Sequence, residues 1–113
     1  MSIFTESDMS ILREWRGEIR RKDRDAYVAY ITDTGLADYR AIPGNLGAVI
    51  AVRDIDAERC EVVTLSWWTS WDAIRAFAGE PVDRARYYPH DEQYLLTRPE
   101  HVHHYESHGA PPG

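Results

Sequence analysis

From Ile11 to Arg20 the chain alternates, with Ile11, Trp15, Gly17 and Ile19 on one side and Glu14, Arg16, Glu18 and Arg20 on the other. A period of two with one wetter face predicts a strand. Asp23 or Asp25 is placed to cap a helix, because a short carboxylate accepts from the free N–H groups of a first helical turn. Tyr27, Tyr30, Ile31 and Thr34 then recur at helical spacing, and Gly35 offers a stop. Ala41-Ile42-Pro43-Gly44-Asn45 has the composition of a turn. Two β-branched runs, Leu46–Val52 and Cys60–Trp68, flank the polar stretch Asp54–Arg59 and predict a hairpin. Thr69 and Ser70 stand where an N-cap belongs, and Asp72 complements the dipole of a helix whose apolar stripe is Trp71, Ile74, Phe77 and Ala78. Gly79 closes that helix. Pro81–Tyr88 reads as another short helix with proline at its start and Pro89 at its end. Asp91–Leu96 reads as a further helical turn, and His101–Glu106 as a last strand.

The element order β–α–β–β–α–(α)–β predicts an α+β, ferredoxin-like split βαβ plan: a four-stranded antiparallel sheet with helices on one face. Residues 11–106 form the single domain, residues 1–10 a leader, and the Gly/Pro-rich residues 107–113 a disordered tail. The runs Leu46–Val52 and Cys60–Trp68 are apolar on both alternations, so both sheet faces are expected to be buried. A second copy is the simplest cover for the face without helices, which predicts a twofold homodimer.

Composition narrows the partners. The net charge is −6, and the densest positive cluster, Arg20-Arg21-Lys22, is adjoined by Asp23 and Asp25. Nucleic acid is therefore not an expected partner. Cys60 is the only cysteine, which excludes an intrachain disulfide and a cysteine zinc site. With no signal-like start and no apolar run of bilayer length, a cytoplasmic protein without a membrane partner is expected. The aromatic residues are mostly Tyr and Trp, seven and four against two Phe, and these combine apolar area with a polar handle suited to pockets and interfaces.

Several segments together resemble the antibiotic biosynthesis monooxygenase family. They are Trp15-Arg16-Gly17, Thr34-Gly35-Leu36-Ala37-Asp38-Tyr39 leading to Pro43-Gly44-Asn45, Leu65-Ser66-Trp67-Trp68-Thr69-Ser70, Ala73-Ile74-Arg75-Ala76-Phe77-Ala78-Gly79, Tyr87-Tyr88-Pro89 and Val102-His103-His104-Tyr105-Glu106. The likeness runs from Leu12 to Glu106. It implies a dimeric α/β barrel, with a pocket between sheet and helices in each subunit. It also implies either oxygenation of an aromatic substrate by O2 without a cofactor or, in another branch, haem binding and degradation. The haem-degrading pattern of a first-strand Asn, a helical Trp and a His ligand falls on Trp15 or Arg16, on Phe77 and on the Arg86–Tyr87 region, and none of the three is kept. His90 lies a few residues past the ligand position, and a tyrosine can also ligate haem iron.

Cofactor-free oxygenation needs a base, donors for the resulting enolate and a dry pocket. A base works best with a pKa near the working pH, which makes histidine the default. His90 is accordingly the expected base, with Tyr87 and Tyr88 as donors. Trp68, Trp15, Arg16 and Tyr30 are the expected substrate-binding wall. Trp67 and Trp68 are adjacent on a strand, so only one of them faces the helices; the resemblance favours Trp68. The expected ligand is a small apolar or aromatic, enolisable molecule, with no cofactor. His101 and His103 share a strand face and invite a metal, with His90 or a carboxylate as a third ligand. No second spaced motif supports that site, and none is expected. A non-catalytic module that holds a small hydrophobic ligand in the same pocket is the competing reading.

Overall fold

A computed structural model describes residues 9–111. Residues 1–8 of the expected leader and 112–113 of the expected tail lie outside the described residues. Four strands, β1 (Met9–Arg20), β2 (Asn45–Asp54), β3 (Arg59–Trp68) and β4 (His103–His108), form one antiparallel sheet in the order β2-β3-β1-β4. With helices after β1 and β3, this is the ferredoxin-like α+β arrangement. Met9 and Ser10 belong to β1 and pair with His108 and Ser107, so the sheet reaches into both segments read as leader and tail.

The β1–β3 register places Arg13 opposite Ser66, Trp15 opposite Thr64, Gly17 opposite Val62 and Ile19 opposite Cys60. All eight are buried on the helix side. The intervening Glu14, Arg16, Glu18 and Glu61, Val63, Leu65 and Trp67 take the outer face, as strand alternation requires. Trp68 thus points to the helices and Trp67 away. The hairpin between β2 and β3 is closed by Asp56, whose Oδ1 accepts from the backbone N–H groups of Glu58 and Arg59, both at 2.9 Å. Gly44 has φ 98°, and an added Cβ there would stand 2.6 Å from the Cβ of Ala73, so the turn before β2 needs glycine on both counts.

The first helix differs from expectation. Helix α1 (Arg24–Ile31) does not stop at Gly35 but continues through a π-helical turn (Thr32–Leu36) into α2 (Ala37–Ala41). Thr32 and Thr34 donate to the carbonyls of Val28 and Tyr30, each at 2.7 Å, a bonding pattern that opens a helix locally. Gly35 is buried inside that π-helical turn and does not end a helix; a Cβ there would meet the Tyr88 ring at an ordinary contact distance of 3.7 Å. Asp23 makes no side-chain cap. Ser70 does cap α3 (Trp71–Ala78), its Oγ accepting from the N–H of Ala73 at 3.1 Å.

Residues 81–88 are not helical. Arg84 instead bridges to His101, and the N–H groups of Ala85 and Val102 reach the carbonyls of Glu100 and Asp83, each at 2.7 Å. This pairing buries both Ala85 and Val102. The last helix, α4 (Asp91–Tyr94), is a single turn, after which Leu95 and Leu96 run along the free edge of β1 at Ile19 and Glu18.

The indole of Trp15 lies over Gly17: an added Cβ at residue 17 would meet its six-membered ring at 2.6 Å and 2.8 Å. Trp15 is 7% exposed, so the ring has little room to yield. We expect Gly17→Ala to destabilise the fold by about 1–3 kcal/mol by overpacking, although alanine suits a strand better than glycine. Urea unfolding measures this; an unchanged midpoint would mean that the ring moves freely.

Candidate functional site

Between the sheet and the helices lies a cavity of ≈ 30 Å³, room for about one water molecule. Its floor is Arg13 and Trp15 of β1 with Thr64 of β3. Tyr27, Ile31, Gly35 and Tyr39 of the long helix form one wall, and Arg86, Tyr87, Tyr88, Asp91 and Val102 form the other. The second wall is irregular chain, held by side-chain bonds more than by a ladder.

Trp15, Tyr87 and Tyr88 meet at this cavity. The Trp15 Nε1–H donates to the Tyr87 hydroxyl at 3.3 Å, and the two rings stand edge-on with centroids 6.3 Å apart. The Tyr87 hydroxyl in turn donates to the carbonyl of Pro99. The Tyr88 hydroxyl donates to Asp38 at 2.7 Å, and burial reinforced by that carboxylate pushes its pKa up. Burial also raises the Tyr87 hydroxyl. Both phenols are therefore neutral donors at ordinary pH.

The other candidates lie elsewhere. Tyr30 and His90 pair outside the cavity, with the His90 N–H donating to the Tyr30 hydroxyl at 3.0 Å and the rings edge-on at 5.6 Å. His90 is exposed. Trp68, with no exposure, sits in the core between Tyr39 and Phe77, its Nε1–H bonded to the Ser66 hydroxyl at 2.9 Å. Arg16 is on the outer face, paired with Glu14 at 3.2 Å and Glu61 at 2.8 Å. Among the described residues no three His, Cys, Asp or Glu side chains converge on a metal position.

Two charged groups that residue type and spacing did not single out dominate the cavity. Asp91 is 2% exposed. One carboxylate oxygen accepts from the Tyr88 backbone N–H at 2.6 Å, the other from the Tyr27 hydroxyl at 3.4 Å. Desolvation raises its pKa above the usual carboxylate range, against the opposing pull of those donors and of Arg98. The same burial, reinforced by Asp91, pushes the Tyr27 hydroxyl up.

Arg13, also 2% exposed, is the second. Its Nη1 donates to the carbonyl of Val82 at 2.6 Å and to Nε2 of His104 at 3.1 Å, and its Nη2 to the carbonyl of Arg84 at 3.1 Å. A guanidinium only donates, so His104 accepts through Nε2 and carries its proton on Nδ1. Burial, then the neighbouring guanidinium, pushes the His104 pKa down to about 4. Arg13 was open to discovery in the sequence: it is an odd-numbered residue in phase with Ile11, Trp15, Gly17 and Ile19, a charge on the apolar side of the strand.

The arrangement defines a ferredoxin-like domain with an aromatic cavity that contains one buried carboxylate and one buried guanidinium. Its fold is that of two solved structures. One, from Nitrosomonas europaea, is provisionally named an antibiotic biosynthesis monooxygenase; it superposes with a TM-score of 0.59 at 13% identity over 93% of this chain and 95% of that one. The other, provisionally given the same name and from Bacillus cereus, has a TM-score of 0.57 at 16% identity over 93% of this chain and 98% of that one. At such identities the likeness is one of fold. No family model and no curated protein matches the sequence.

His104 makes stability depend on pH. The unfolded chain takes up its imidazole proton near 6.5, the folded protein only near 4, so its contribution to stability is lost as pH falls from about 6.5 to about 4. The raised Asp91 carboxyl acts with the opposite sign, gaining stability as pH falls towards and through its folded value. We therefore expect His104→Gln, which keeps an acceptor for Arg13, to remove only the first effect. The stability advantage of the natural protein over this variant should shrink between pH 6.5 and pH 4 in paired urea titrations. A constant difference would show that His104 titrates normally.

Proposed function

We propose that the protein is a small cofactor-independent oxygenase, or a related proton-transfer enzyme, acting on an aromatic, enolisable substrate in the cavity between sheet and helices. The observation that carries this reading is the buried Asp91 carboxylate at an aromatic cavity lined by neutral phenol donors and a guanidinium. A carboxylate whose pKa is raised is a better proton acceptor at neutral pH than an ordinary one. Asp91 takes a proton from an acidic ring methylene, and Tyr87 and Tyr88, whose hydroxyl protons otherwise go to the Pro99 carbonyl and to Asp38, donate to the enolate oxygen once the substrate displaces those bonds. The electron-rich anion then reacts with O2. One oxygen atom becomes the new carbonyl, and the other leaves as water with the two methylene hydrogens. His90, the base expected from intrinsic pKa alone, is exposed beside Tyr30 outside the cavity and is the competing assignment.

A second reading, a passive ligand-binding module, uses the same cavity. At ≈ 30 Å³ the cavity is far below the roughly 300 Å³ lower bound of ordinary small-molecule sites. Any aromatic ligand displaces side chains to enter, and the partly exposed Tyr87 and Tyr88 with the exposed Arg86 are those with somewhere to go.

Oxygen uptake with an anthrone-type substrate separates these assignments. With Asp91 as base, Asp91→Asn lowers turnover by about 10²–10⁴-fold while His90→Ala leaves it within a few-fold. The reverse pattern transfers the role to His90. Binding of the substrate without any oxidised product leaves only the passive module.

We further propose that the outer sheet face is covered by a second copy. Val49 faces Leu65 across β2–β3, and Trp67, Leu12 and Tyr105 form a row across β3–β1–β4, with Val49 and Tyr105 exposed. The charges among them are already matched, since Glu61 accepts from both Arg16 and Arg53 at 2.8 Å. Light scattering should return twice the 13.1 kDa chain mass, and Leu65→Glu should halve it. A monomeric natural protein at micromolar concentration would refute the dimer.

A further inference from the structure

We infer that the cavity selects aromatic ligands bearing a carboxylate, and that Arg13 is the residue that binds that group. This deepens the cavity reading above and rests on it. The bonds to Val82, His104 and Arg84 use both Nη1 protons and one Nη2 proton. Of five guanidinium donors, that leaves one on Nη2 and the Nε–H, and Nε is buried with no partner. Unsatisfied buried donors of a charged group are costly, and natural proteins seldom keep them without a purpose.

The charge is as exposed electrostatically as the donor is. Among the described residues no carboxylate lies within ion-pairing distance of Arg13. The groups that favour its charged form are Tyr39 and the more distant Asp83, and they do not offset desolvation. Its nearest ring nitrogen belongs to an uncharged His104. A buried cation held in place by two carbonyls and an imidazole, with its own counter-charge absent, is a preformed anion site. The unpartnered Nε–H and the second Nη2 donor sit on adjacent nitrogens of a planar fork, with the Tyr39 hydroxyl near the guanidinium. That fork is the geometry that takes the two oxygens of a carboxylate.

The walls supply the rest of the specificity. Trp15, Tyr27, Tyr39, Tyr87 and Tyr88 offer ring edges and faces to an aromatic body. Arg86 also lines the cavity, but it is already committed to the Phe77 carbonyl at 3.0 Å, lies over the Phe77 ring and has Asp38 3.9 Å away. Arg13 has no such carboxylate.

Calorimetric titration with 2-naphthoate and its neutral isostere 2-naphthamide tests the inference. The natural protein should bind the acid about ten- to a hundredfold more tightly than the amide. Arg13→Lys, which keeps the charge and removes the Nε donor, should bring the two affinities within a few-fold. Arg86→Gln should preserve the preference. Should Arg13→Lys fail to fold, the Nε–H resonance of Arg13 in the natural protein decides: it moves downfield with naphthoate and not with naphthamide. Equal affinities for the two ligands, a preference abolished by Arg86→Gln, or acid binding without a shift of that resonance overturns the Arg13 assignment while leaving the cavity as a ligand site. Binding of neither ligand overturns the cavity reading itself, and this inference with it.

Discussion

The register of β1 against β3 is the constraint on which the other features depend. With Trp15 opposite Thr64 and Ile19 opposite Cys60, the apolar alternation of both strands meets the helices. A slip of one residue would turn Glu14, Arg16 and Glu18 into the core and expose Trp15 and Ile19. The same phase that buries Trp15 and Ile19 also buries Arg13. The charge is accepted because the register brings it beneath a segment whose carbonyls need donors, those of Val82 and Arg84. Gly17 completes the arrangement by leaving the Trp15 ring the space to lie flat along the strand and reach Tyr87.

The chain between α3 and β4 is shaped by what lies under it. Its bonds run to Arg13 and Trp15 below, to the Phe77 carbonyl through Arg86, to Asp38 through Tyr88, and between its own Tyr87 and Pro99. Intrinsic preference favours a helix from Pro81 to Tyr88, and a helix would satisfy the backbone locally. Pairing with residues 100–102 satisfies it equally and buries Ala85 and Val102 as well, so tertiary burial prevails over a weak local tendency.

The regular elements were legible because each carries its own periodic signal. The alternation of β1 and β3, the polar hairpin stretch closed by Asp56 and the Ser70 cap can be seen within a few residues of sequence. The continuation of the first helix past Gly35 was not, since it runs through a π-helical turn whose threonine bonds back to Val28 and Tyr30 leave no periodic signal. The site divides in the same way. Trp15, Tyr87 and Tyr88 could be nominated from residue type and position. Asp91 could not, because its distinction is burial against Tyr27 and the Tyr88 backbone, and burial reverses the ranking of bases that intrinsic pKa values suggest. A carboxyl removed from water moves up towards the range where it is useful as a base.

Asp91 and Arg13 also constrain what can occupy the cavity. Each is buried with donors or acceptors on one side and the cavity on the other, so the interior is polar at two points and aromatic between them. A purely apolar ligand would offer neither group a partner. A ligand with one acidic hydrogen and one anionic group improves both at once. Entry requires a wall to yield, and the two walls differ in kind. The helical wall has continuous backbone bonding from Arg24 to Ala41, while the wall from Arg86 to Asp91 is held by a handful of side-chain bonds, and such segments open locally at much lower cost than regular elements. Tyr87, Tyr88 and the Asp91 carboxylate that accepts from the Tyr88 N–H are thus on the wall able to move, while the Arg13 charge is fixed on the sheet.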